Sequence, residues 1–130
     1  MEKIEIVDFG GVVVCECSGK RNPDGSVELP NCRFNDLRCV SFTGKKFVGC
    51  VFHGQFLGCR FENCVFERCH FENGFFSTVL LNHCVFELCD FDEFKFQMGC
   101  LASVNFNECR MNEDVIDVKK CVMDNVVWNE

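Results

Sequence analysis

Residues 59–73 read Cys59-Arg60-Phe61-Glu62-Asn63, Cys64-Val65-Phe66-Glu67-Arg68, Cys69-His70-Phe71-Glu72-Asn73. The ring position keeps its beat of five well beyond this stretch: Phe56, Phe61, Phe66, Phe71, Phe76, Leu81, Phe86, Phe91, Phe96, Leu101, Phe106 and Met111. A helix repeats every 3.6 residues and a strand every two, so neither produces a strict period of five. A chain that turns a corner every five residues, pointing one large side chain inward each time, does produce it. Such a chain is a solenoid, whose core is a column completed by stacking one coil on the next.

A second class of residue keeps the same beat two positions earlier. Cys59, Cys64, Cys69, Cys84, Cys89 and Cys109 hold it, and Gly54, Gly74, Val79, Phe94, Gly99 and Val104 fill the remaining places. Residues two apart on an extended backbone share a side. Each short face therefore supplies one large and one mostly small inward side chain, and the residues between and after them point outward. On this reading Glu62, Glu67, Glu72, Glu87 and Asp92 are exposed.

The three quoted pentads resemble consecutive repeats of the pentapeptide-repeat family. That resemblance implies an all-β fold, a right-handed quadrilateral β-helix in which four pentads make one coil. The match is strongest over residues 54–113. The family commonly places Ala at the small and Leu at the large position; Cys and Phe here resemble the quinolone-resistance branch. Upstream, Val40/Phe42, Lys45/Phe47 and Cys50/Phe52 keep the beat, and Cys32/Phe34 and Leu37/Cys39 fit a different phase. Phe52 to Phe56 is one residue short, which predicts a kink or bulge. Downstream, Ile116/Val118, Cys121/Met123 and Val126/Trp128 resume the beat after a slip of two near Asn112–Asp117.

Residues 3–17 read as a hairpin turning at Gly10-Gly11, and residues 18–26 as a loop with a turn at Asn22-Pro23-Asp24-Gly25. The exposed rings and backbone of a solenoid end need a cover, so residues 1–26 are the expected cap and loop and 27–130 the β-helix with its closing segment. No apolar run spans a bilayer, and the acidic, alternating start Met1-Glu2-Lys3-Ile4-Glu5-Ile6 is unlike a signal peptide. Thirteen cysteines suggest a disulfide framework in a secreted chain. Here the number is odd and the repeat assigns most of them to packing, so reduced thiols and a cytoplasmic location are expected.

Catalysis finds little footing. In Cys69-His70 and His83-Cys84 the thiol points inward and the imidazole outward. Spacing gives no four converging zinc ligands, and Asp90-Phe91-Asp92-Glu93 lacks the loop spacing of a calcium motif. A protein without catalytic activity, metal or cofactor is the expectation.

The net charge of −7 is uneven. Residues 1–60 carry seven acids and eight bases, whereas residues 61–130 carry thirteen acids and five bases. The second half therefore disfavours direct binding of nucleic acid or anionic membrane and suits a basic partner. A repeat of twenty residues per coil gathers Glu67, Glu72, Glu87, Asp90, Asp92, Glu93, Glu108 and Glu113 into an acidic ridge over two adjoining faces. The family resemblance implies a DNA mimic: the ridge contacts a basic DNA-binding protein, DNA gyrase or topoisomerase IV, and the rod doubles its length as a homodimer through its C-terminal end. The plainer alternative is a generic interaction or structural solenoid whose acidic face serves solubility.

Overall fold

A computed structural model describes residues 1–130. It is all-β, a β-solenoid of about five turns with four short faces to each coil. The hairpin comprises β1 (Glu2–Val7) and β2 (Val13–Arg21). The first coil contributes β3 (Val27–Pro30), β4 (Arg33–Arg38) and β5 (Ser41–Thr43), and the second β6 (Lys45–Val48), β7 (Val51–Leu57) and β8 (Arg60–Glu62). Next come β9 (Val65–Glu67), β10 (His70–Glu87), β11 (Asp90–Asn107) and β12 (Cys121–Asn129). β10 and β11 each round three corners while staying paired to each other throughout.

The parallel register shows the coils directly. On face one, Leu29, Phe47, Phe66, Phe86, Phe106 and Trp128 lie over one another. Face two stacks Phe34, Phe52, Phe71 and Phe91, and face three stacks Leu37, Phe56, Phe76, Phe96 and Ile116. Face four stacks Phe42, Phe61, Leu81, Leu101 and Met123. On faces one, two and four the rings lie flat along the column; on face three they do not, Phe56 and Phe76 meeting at 89° and Phe76 and Phe96 at 45°, and rings within a coil meet tilted or edge-on. Phe66 and Phe86 are 4.4 Å apart at 4°, whereas Phe42 and Phe47 meet at 78°. Both geometries suit the aromatic quadrupole.

Eleven of the twelve residues in the five-residue series are buried. Met111 is only partly so, because it is the last of its column and has no rung above it. Phe94 occupies a small-residue position yet is 2 % exposed. Its ring reaches Phe71 and Phe76 at 5.4 and 5.1 Å, in the space left beside Gly54 and Gly74. Gly74 is required by the backbone itself, since a Cβ there would overlap the carbonyl of Gly54.

Most corners are a residue with positive φ two places after the large one; after Phe96 it falls a place later, on Gly99, where the register shifts. Asn63, Arg68, Asn73, Thr78, His83, Leu88 and Glu93 all lie between 48° and 55°. Corner amides bond to the next coil, as in Arg68 N to Glu87 O (2.8 Å) and Leu88 N to Asn107 O (2.9 Å).

The irregularities fall at two corners. Between faces two and three the step is three residues in coil one (Phe34 to Leu37), four in coil two (Phe52 to Phe56) and five thereafter. The kink expected at Phe52–Phe56 is present as a register shift. Asp36 completes the shortest corner: its Oδ1 accepts a hydrogen bond from Gln55 N at 2.8 Å, in place of a missing backbone carbonyl. The reading of Leu37/Cys39 is corrected here. Leu37 holds the large position, and Cys39 is the corner, with φ 54°. Ile116/Val118 is likewise out of phase. Ile116 is the buried rung and Val118 is exposed, because the two extra residues follow Ile116, in a turn closed by hydrogen bonds from Lys120 N and Cys121 N to Asp117 O.

The hairpin turns at Gly10-Gly11, where Asp8 Oδ1 accepts from Gly10 N and Val12 N. β2 continues to Arg21, so the stretch read as loop from Ser18 is strand as far as that residue, and the turn occupies 22–25. Ile4, Ile6 and Cys17 are buried against the first rung. Gly19 passes so close that a Cβ would stand 2.8 Å from both Ile4 and Leu29. No helix is long and apolar enough to cross a membrane.

Phe86 sits mid-column with a ring stacked on each side. Phe86→Ala is expected to lower the unfolding free energy by about 3–5 kcal/mol in denaturant titration. Gly74→Ala should also destabilise, because a backbone carbonyl rather than a flexible side chain blocks the new methyl.

Candidate acidic interaction face

Outward side chains inherit the register of the column. Glu67 lies beside Glu87, and Glu72 beside Asp92, one strand spacing apart, about 4.8 Å. The expectation of full exposure holds for Asp92 but not for Glu62, Glu67, Glu72 and Glu87, which are partly buried. Each is flanked above and below by the equivalent residue of its neighbouring coils, so only its tip meets solvent.

The eight acidic residues do not form one ridge. Glu72 Oε1 lies 3.6 Å from Arg33 Nη1. Asp90 stands between His70 Nδ1 at 3.8 Å and Arg110 Nε at 3.6 Å. The other six have no ion-pair partner and fall into two rows. Glu67, Glu87 and Glu108 follow the edge between faces one and two; Asp92, Glu93 and Glu113 follow the edge between faces two and three. Between the rows runs the strip His70–Asp90–Arg110, locally balanced in charge. Like charges one rung apart repel; the pairing of Asp90 relieves that repulsion along the middle strip and that of Glu72 relieves it beside Asp92, on the edge between faces two and three.

Arg33 was not singled out from the sequence. It lies in coil one and reaches a carboxylate two coils away, which becomes visible only once the short first coils are in register. His53 stacks between Asn35 and Glu72, and its Nδ1 is enclosed without a hydrogen-bond partner.

The thiols and imidazoles lie apart as the strand alternation demands. Cys69 is 2 % exposed, while His70 faces outward to Asp90. All thirteen cysteines are free. The inward ones have a role that packing alone does not explain. Cys50, Cys64, Cys69, Cys84 and Cys89 donate to the carbonyls of Leu29, Phe42, Phe47, Phe61 and Phe66 at 3.0–3.5 Å. Each acceptor is the carbonyl of a large inward residue one coil earlier, so the thiol adds a side-chain bond between coils to those of the backbone ladder. Alanine fits the space but removes this extra bond between coils. Comparisons with protein-family models and with characterised proteins find no match for this chain.

Burial pushes the Cys59 thiol above its ordinary value of 9.0. The folded chain then keeps a proton that the unfolded chain releases, so this contribution is intact below pH 9 and is lost as pH rises beyond it. With no tyrosine in the chain, the melting temperature should fall above pH 9, and less steeply in Cys59→Ala. An unchanged pH profile in that variant would contradict the assignment.

Proposed function

We propose that this protein is a non-catalytic DNA mimic that binds the basic DNA-contacting surface of a partner protein. The observation carrying this reading is the pair of carboxylate rows, six groups free of ion pairs, on a rod whose stacked coils hold them in register. A surface built to receive two phosphate strands recognises negative charge in two spaced lines. The resemblance of the repeats to the quinolone-resistance branch of the pentapeptide-repeat family makes a type II topoisomerase, DNA gyrase or topoisomerase IV, the first partner to test.

Length bears on the proposal. Five coils at about 4.8 Å give a rod of about 24 Å, the rise of roughly seven base pairs. Two copies joined through their C-terminal ends give about twice that. Several features there support such a homodimer. Trp128 stacks on Phe106 at 5.8 Å yet is 50 % exposed, Met111 and Met123 are partly uncovered, and β12 is paired along one edge only.

The test is a supercoiling assay with purified gyrase, paired with direct binding. Glu87→Lys, Asp92→Lys and Glu93→Lys together reverse three unpaired carboxylates. The triple variant should keep its β-type circular dichroism and lose at least tenfold in affinity, and wild-type binding should weaken as salt rises. Binding of the triple variant at wild-type strength would exclude mimicry through these rows and favour the plain interaction-module reading.

A further inference from the structure

The hairpin covers the first coil incompletely. β2 pairs with β3 only at Lys20 and Arg21, and the tip of the hairpin touches the coil again at Asp8–Val40, with Phe9 N bonded to Cys39 O. Between these two anchors, Val13–Cys17 of β2 have a strand on one side only, which is β1. β4, directly across, is paired only with β7. Two strand edges thus face each other without pairing, separated by a groove of about 570 Å³.

The chemistry of the groove is asymmetric. Val14 and Cys15 form one wall and Arg33 and Arg38 the other; Arg33 is already engaged by Glu72 and Asn35, which leaves Arg38 as the free cation. Its two carboxylates are occupied with backbone amides: Asp8 accepts from Gly10 N and Val12 N, and Asp36 from Gln55 N. Arg38 is exposed and makes no ion pair or hydrogen bond. Val12, Val13 and Val14, on the hairpin arm beside the groove, are 61, 43 and 41 % exposed.

We propose that this groove binds an extended, acidic segment of another protein, which adds as a strand to the free edge of β2. An unpaired edge supplies main-chain donors and acceptors to a peptide, and alternate side chains set selectivity. Here one side of the added strand meets Val14, and a carboxylate on the segment meets Arg38. The site lies at the capped end, in the half of the chain that is not acidic, and is independent of the two carboxylate rows.

The probe is a fluorescein-labelled octapeptide alternating valine and glutamate, titrated with the full-length protein and followed by anisotropy. Saturable binding is expected. Replacing glutamate by lysine, or methylating alternate backbone amides of the peptide, should each weaken it at least tenfold. Arg38→Glu should do the same without changing the circular dichroism. Hydrogen exchange should slow in Val13–Cys17 when peptide is present. The lysine reversals at Glu87, Asp92 and Glu93 should leave peptide binding unchanged, so failure here is distinct from failure of the DNA-mimic reading. Absence of saturable binding, indifference to amide methylation, or protection appearing at β12 instead would overturn the proposal.

Discussion

Everything in this molecule depends on a backbone conformation that L-amino acids avoid. Thirteen non-glycine residues hold φ near +50°, among them the β-branched Thr78 and the bulky Leu88. Each costs on the order of 1 kcal/mol or more in isolation. A single coil therefore has no reason to persist. What offsets the corners is repetition: each pentad that accepts one also delivers a ring to the column and hydrogen bonds to the neighbouring coils. A buried phenylalanine contributes roughly 2–3 kcal/mol, and its contacts lie mostly in adjacent coils. The rings hold the corners, and the corners aim the rings.

The same coupling sets the surface. Because the coils stack in parallel register, an outward residue lies beside its equivalent one coil away. Charge placed on the second half of the chain is thereby sorted into lines rather than scattered. His70 and Arg110 neutralise Asp90 in the middle of face two and Arg33 pairs with Glu72 at one margin, leaving the other carboxylates along the two edges. The two ends of the rod differ for the same reason. One is crossed by an antiparallel hairpin anchored at two points, and the other presents Trp128 and the free edge of β12.

Residues 56–111 were legible from the sequence because all four corners there are of equal length. A fixed step of five carries phase information, and phase determines which side chain points inward. Where corner length varies, that information is lost. The three-residue step from Phe34 to Leu37 left no periodic trace, so Leu37 and Cys39 exchanged roles. The turn after Ile116 did the same to Val118. The partners of the acidic residues were hidden for a related reason, since Arg33 meets Glu72 only after two shortened coils are brought into register. The half-burial of Glu62, Glu67, Glu72 and Glu87 follows from the stacking of equivalent positions on neighbouring coils, which an inward/outward pattern does not describe. The cysteines were legible as small inward residues, but their hydrogen bonds to carbonyls one coil earlier depend on corner geometry.

The most direct test of the central claim, that corners and column form one hydrogen-bonded unit, is native-state hydrogen exchange at the corner amides. Arg68 and Leu88 each donate to the following coil. Their protection should match that of Phe66 and Phe86 on the adjoining face and should be lost together with it as denaturant rises. Corner amides exchanging as freely as the hairpin turn at Gly10-Gly11, while the faces stay protected, would contradict the account.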